Sequence, residues 1–186
     1  MKTRRLIYIS IFAILTAVGA RIAIPLPLVP FTLQTMFCML AGLLLGAKYG
    51  AASQAFYMFM GLLGVPVFTG GGGLSSIFMP SFGYVIGFVA CAWITGTMLK
   101  KLSARGRVLT TRDYMAASLA GVAGVYIFGL LYLYLIVNFW MPGNGMTLMK
   151  VLSVGFFSTI GGDILKAFLA SVIALRIKKT SVFSGI

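Results

Sequence analysis

Residues 114–139 read YMAASLAGVAGVYIFGLLYLYLIVNF, a stretch without a single charged side chain. At about 1.5 Å of rise per residue, some 20 apolar residues cross a hydrocarbon layer roughly 30 Å thick. This run therefore reads as a membrane-spanning helix. Working outward from it, five further apolar segments appear: Leu6–Ile24, Thr32–Gly46, Ala51–Phe68, Gly83–Leu99 and Phe157–Ile177. The segment from Thr32 is short for a bilayer, so its start is traced back toward Pro30. The expectation is an all-α integral membrane protein of six transmembrane helices, forming one transmembrane domain over residues 1–186.

Composition supports that reading and removes several chemistries. Of 186 residues, 60% are hydrophobic and 9% charged, and the mean hydropathy is +1.05. A soluble domain is about half apolar and a quarter charged. There is no histidine, and the two acids are Asp113 and Asp163. A catalytic triad, a metal cage and a pair of neighbouring carboxylates are all absent, so neither an enzyme nor a cofactor is expected. Cys38 and Cys91 lie inside apolar segments, form no CxxC pair and read as small hydrophobes. The first segment follows Lys2, Arg4 and Arg5, as a signal peptide would. Five more spans follow it, so it is taken as the first helix.

The net charge of +13 raises nucleic-acid binding, but the cations sit between apolar runs rather than along one face. No nucleic-acid partner is expected. Six spans bring both termini to one side. With the N-terminus inside, twelve of the fifteen basic residues fall on the inner side, from Lys2, Arg4 and Arg5 through Lys48 and the 100–112 connection to Lys179. Lys150 alone falls outside, while Arg21 and Lys166 fall within or at the ends of spans. The positive-inside rule then gives N-in, C-in. The inner cations set topology and meet anionic headgroups of the bilayer; the alternative for the Lys100–Arg112 connection is partner docking.

Unusual residues gather on the outer side. Three prolines make Ile24-Pro-Leu-Pro-Leu-Val-Pro-Phe-Thr-Leu-Gln34 an extended, stiff connection. Gly70, Gly71, Gly72 and Gly73 form an uncharged run that either lets backbone approach a ligand or simply makes a mobile cap. The third connection, around 141–145, reads as a turn. Asp163 and Lys166 stand at i, i+3 within the last segment, on one helical face. Ionisable groups at membrane depth are costly. They either lock the helix as a mutual salt bridge or offer a carboxylate and an ammonium to a polar solute. Gly161-Gly162 suggests that the helix starts there, with Asp163 as a cap near the outer third of the membrane. Tyr84, Trp93 and Phe31 are candidate pocket aromatics, with core packing the alternative. Ala13-Ile-Leu-Thr-Ala17 is a small-xxx-small motif that permits close helix approach, either within the chain or to a separate membrane protein.

These motifs, in order, closely resemble the BioY family: AxxxA in the first helix, the proline connection 24–34, Ala41-Gly-Leu-Leu-Leu-Gly46, Gly64-Val-Pro-Val-Phe68 with its glycine loop, Gly83-Tyr84 and Gly162-Asp-Ile-Leu-Lys-Ala167. BioY proteins are biotin-binding S components of energy-coupling factor (ECF) transporters, a class of bacterial ABC importer. The resemblance implies biotin capture in an outward-facing pocket capped by the first and second outer loops. It also implies a bacterial cell-membrane location, a transmembrane coupling protein contacting Ala13 and Ala17, and two ABC ATPase subunits. Asp163 and Lys166 match the family's acid and base, the glycine loop and Tyr84 match in kind, and Phe31 and Gln34 are further wall candidates. Arg21 is the cation left for the end of biotin that the Asp163–Lys166 pair does not take. The alternatives are an S component for another vitamin and a structural or assembly membrane protein without a solute.

Overall fold

The computed structural model describes residues 2–104, 106, 108–141 and 145–179. Arg105 and Arg107 of the basic connection, and positions 142–144 of the expected turn, lie outside the described residues. The elements are α1 (Lys2–Arg21), β1 (Ala23–Ile24), β2 (Phe31–Thr32), α2 (Gln34–Leu62), α3 (Phe82–Ser103), α4 (Thr111–Leu135), the short α5 (Leu148–Leu152) and α6 (Ile160–Lys179). A 3-10 turn covers Leu74–Phe78, and π turns follow α4 (Ile136–Trp140) and α5 (Ser153–Phe157). Among the described residues, four helices are long and apolar enough to cross a membrane: Thr3–Arg21, Gln34–Leu62, Phe82–Ser103 and Thr111–Trp140.

The stiff proline connection is a two-stranded antiparallel hairpin, with Ala23 opposite Thr32 and Ile24 opposite Phe31. The next helix does not reach back to Pro30; it begins at Gln34. Its 29 residues are bent double at Gly46, which adopts φ 78° and ψ 178°. A Cβ at Gly50 would lie 2.9 Å from the Ala41 carbonyl oxygen, whereas nine residues of straight helix would separate the two by about 13 Å. The Gln34 amide also donates to the Tyr57 hydroxyl at 2.6 Å, across 23 positions of sequence. The arms 34–45 and 47–62 are thus antiparallel neighbours, matching the two separate segments read from the sequence. The second arm ends at Leu62 rather than Phe68, since Gly64 at φ 99° breaks the helix before Pro66.

Packing is inverted relative to a water-soluble bundle. On α6 the buried face carries Asp163, Lys166, Ala167, Ala170, Ser171 and Ala174, while Ile164, Leu165, Phe168, Leu169 and Ile173 face outward. Small residues inside allow close helix approach, and an apolar exterior suits lipid. Backbones meet at glycines: a Cβ at Gly42 would lie 2.6 Å from the Ala92 carbonyl oxygen, and one at Gly87 2.8 Å from the Val125 Cα.

The small-residue face of α1 is part of this interior. Ala13 is buried and Ala17 half-buried, beside Thr16, which accepts a hydrogen bond from the Gln54 side-chain amide at 3.1 Å. The outward stripe is instead Ile7, Ile11, Ile14 and Val18. Of the two alternatives for the AxxxA motif, contact within the chain accounts for the burial of Ala13, while Ala17 keeps part of its surface open. Small side chains there allow α1 to approach α2 closely.

Candidate functional site

At one end of the bundle the hairpin 23–32, the glycine loop and the start of α6 enclose a narrow cleft. Its walls are mainly aromatic and aliphatic, with Phe31, Phe68, Phe82 and Phe88 among them. Of the residues singled out from sequence, Asp163, Lys166, Tyr84, Phe31, Gln34 and Gly70 line it.

The ionisable pair forms its polar wall. Lys166 Nζ lies 2.5 Å from Asp163 Oδ1, and both residues are almost fully buried. The same ammonium donates to the Thr32 carbonyl at 2.8 Å and to Thr35 Oγ1 at 3.4 Å. It also stands 3.9 Å from the centre of the Phe31 ring, a cation–π contact. Lys166 thus ties α6 to the proline hairpin. Gly162 makes room for this arrangement, because a side chain there would run into Phe31. Asp163 Oδ2 accepts from the Tyr126 hydroxyl at 2.5 Å, and that hydroxyl sits 3.0 Å from Thr159 Oγ1. Asp163 is not the cap of α6. Its amide already bonds the Thr159 carbonyl at 3.0 Å, one turn inside the helix.

On the facing wall, Gln34 Oε1 accepts from Thr32 Oγ1 at 3.0 Å. Tyr57, its partner, donates on to the Val67 carbonyl at 3.2 Å. Tyr84 is buried with its hydroxyl donating to the Gly155 carbonyl at 3.0 Å. Gly129 and Gly155 leave the space that its ring and hydroxyl fill. Tyr84→Phe should lower stability by about 1 kcal/mol, since it removes a buried hydrogen bond and leaves the Gly155 carbonyl with the longer one from Thr159 Oγ1, at 3.4 Å. Thermal unfolding in detergent would measure it.

The structure does not bring together every candidate. Gly71, Gly72 and Gly73 do not line the cleft; they fasten the loop. Phe68 and Gly71 exchange backbone hydrogen bonds at 2.8 and 3.0 Å, and the Gly73 amide donates to the Gly61 carbonyl at 2.7 Å. A side chain at Gly72 would collide with the Val65 carbonyl. The run is therefore a docked cap that holds Phe68 against Tyr57 and Phe82. Arg21 also stays off the cleft walls, because its guanidinium donates to the Pro66 carbonyl. Trp93 is half-exposed on the outer surface. Sequence reasoning missed Tyr126, Thr159 and Thr35. Tyr126 lies in the middle of the 114–139 run, where only its phenol distinguishes it from packing. Thr35 had a signal, since Thr32, Gln34 and Thr35 cluster polar groups at the head of an apolar segment.

With this geometry in place, similarity to known proteins can be read. The BioY family profile matches residues 1–182. A probable biotin transporter BioY of Lysinibacillus sphaericus is 41% identical over 178 residues, covering 96% of this chain and 88% of its own length. The biotin transporter BioY of Thermotoga maritima is 37% identical over 180 residues, covering 96% and 98%. A crystal structure of the S-component for biotin from an ECF-type ABC transporter superposes with a TM-score of 0.81 at 33% identity, over 96% of this chain and 92% of that one. The chain belongs to the BioY family.

Proposed function

We propose that this chain is the biotin-capturing S component of an ECF-type importer, a transport subunit and not an enzyme. The observation that carries the reading is the buried Asp163–Lys166 pair in the wall of an otherwise apolar cleft. The fused ring system of biotin is mostly apolar, while its cyclic urea presents two N–H donors beside one carbonyl acceptor. A carboxylate and an ammonium held side by side offer the complementary acceptor and donor. Because the two charges cancel, an uncharged urea meets a site of no net charge. The aromatic walls take the ring and alkyl chain, whose removal from water drives binding.

In this reading the chain is one transmembrane domain with six passes: α1, the two arms of α2, α3, α4 and α6. Both termini are cytoplasmic, as the distribution of basic residues supports. The cleft then opens outward in the plasma membrane of a bacterium. Inward delivery is driven by a transmembrane coupling protein with two ABC ATPase subunits, since this chain has no phosphate-binding loop of its own. Purified protein should bind labelled biotin saturably and more tightly than micromolar, and unlabelled biotin should displace it while thiamine and riboflavin do not. Micromolar or weaker binding, or displacement by another vitamin, overturns the assignment.

A further inference from the structure

A second, open cavity lies between the bend of α2, the C-terminal turns of α3 and the end of α6. It is at the other end of the bundle from the cleft. Twelve residues separate Gln34 from Gly46 on α2, and twelve separate Lys166 from Lys178 on α6, about 18 Å of helix in each case. Gly96, Lys100 and Ser103 stand at i, i+4 and i+7, so one face of α3 runs from apolar to charged along the cavity. Lys100, Ser103 and Lys178 are exposed at its rim, and half-buried Ala47 and Leu109 add apolar surface beside them. The Lys178 ammonium stands 5.8 Å from the centre of the Tyr114 ring, a contact that tethers the side chain without cancelling its charge.

Among the described residues, neither lysine has a carboxylate within ion-pairing distance. The two acidic side chains of the sequence are engaged elsewhere. Asp163 holds Lys166, and Asp113 accepts from the Thr110 amide and hydroxyl in the capping box that starts α4. Two like charges at the rim of one cavity repel each other, and an anion between them removes that repulsion. A free phosphate would meet the two ammonium groups but leave the apolar surface beside them in water. In the six-pass arrangement proposed above, this end meets the cytoplasmic leaflet, where basic pockets between helix ends take anionic head groups. We infer that the cavity binds one anionic phospholipid. Lys100 and Lys178 hold its phosphate, Ser103 donates to a phosphate oxygen, and Ala47 and Leu109 meet its glycerol backbone and first methylenes. Such a site is distinct from the diffuse attraction exerted by Lys48 and Lys101, which are exposed at the same end but do not line the cavity.

Native mass spectrometry of the whole chain in a neutral detergent, titrated with phosphatidylglycerol, tests the site. One phosphatidylglycerol should stay bound per chain. Phosphatidylcholine should not replace it, because the lysines repel the choline cation, and inorganic phosphate in large excess should not displace it. Lys100→Gln with Lys178→Gln should weaken phosphatidylglycerol binding roughly thirtyfold, the combined effect of two lysine–phosphate contacts. Lys48→Gln with Lys101→Gln removes the same net charge and should leave the affinity unchanged. Either cavity lysine replaced singly should give a smaller loss of the same kind, so the result does not depend on the double variant folding. Phosphatidylglycerol should also raise the melting temperature of the parent but not of the Lys100–Lys178 double variant. Equal binding of phosphatidylcholine, or equal losses in the two double variants, shows diffuse attraction and overturns the site. Displacement by inorganic phosphate makes it a site for a free anion and overturns the lipid assignment.

Discussion

Lys166→Ala is expected to cost the protein its ligand and part of its stability together. In the parent the ammonium holds Asp163, the Thr32 carbonyl and the face of Phe31 at once. Its removal leaves a buried carboxylate with Tyr126 as its one remaining hydrogen-bonding side chain among the described residues. Removing one member of a buried pair typically destabilises by about 3–5 kcal/mol, more than the intact pair contributes. The proline hairpin also loses its tie to α6. Biotin affinity should fall at least about 100-fold, because both the donor and the alignment of Asp163 are lost. Asp163→Asn should produce a comparable loss of affinity, by leaving a buried ammonium without its counter-charge. The doubly exchanged protein, Asp163→Lys with Lys166→Asp, separates a ligand site from a structural bridge. A bridge survives the exchange, whereas a site whose donor and acceptor have swapped places does not. Parent-like biotin affinity in either single variant, or in the exchanged pair, removes these residues from the site.

The second large effect is expected far from the cleft. Gly96→Leu should prevent recovery of monodisperse protein, or lower its melting temperature by roughly 10 °C or more. A Cβ at Gly96 would overlap the Ala47 amide, with the Gly46 carbonyl carbon 2.5 Å away. Both are main-chain atoms of the bend that folds α2 back on itself, and Gly46 there holds φ 78°. Overpacking against movable side chains costs about 1–3 kcal/mol. Main chain at a tight bend has less room to yield, and about 3 kcal/mol corresponds to several degrees or more in a chain of this size. Gly161→Ala is the control. A Cβ there meets nothing within 4 Å, and alanine favours a helix over glycine by up to about 1 kcal/mol. A parent-like melting curve for Gly96→Leu would show that α3 does not press against the bend.

Much of the fold was legible because burial in lipid is a property of local composition. A run such as 114–139 needs no partner to declare itself, and the separation of 32–46 from 51–68 at a glycine-containing break was readable even though the two are arms of one bent element. Asp163 and Lys166 were equally visible, since an ionisable pair at i, i+3 in an apolar segment is conspicuous wherever its neighbours lie. The glycine run was visible, but its role was not. Its composition signals permissive backbone, but only the docked loop reveals that Gly72 is needed against the Val65 carbonyl and that Gly71 and Gly73 fasten the loop through backbone hydrogen bonds. The AxxxA face of α1 is legible only in part, because a small side chain permits close approach without naming the surface that approaches.

By itself, then, the sequence indicated apolar helices long enough to cross a membrane and the charged pair that offsets its burial cost by interacting. Those follow from the free energy of transferring each segment, which is summed over residues close in the chain. Tertiary structure alone decided which groups surround that pair. Tyr126 reaches Asp163 across 37 positions, and Lys166 reaches Thr32 across 134. Hydrogen bonds and aromatic contacts act over a few ångströms and depend on direction, so they exist only once packing has brought distant segments together. The same packing engages Arg21 with the Pro66 carbonyl and fastens the glycine loop over Gly61 and Val65.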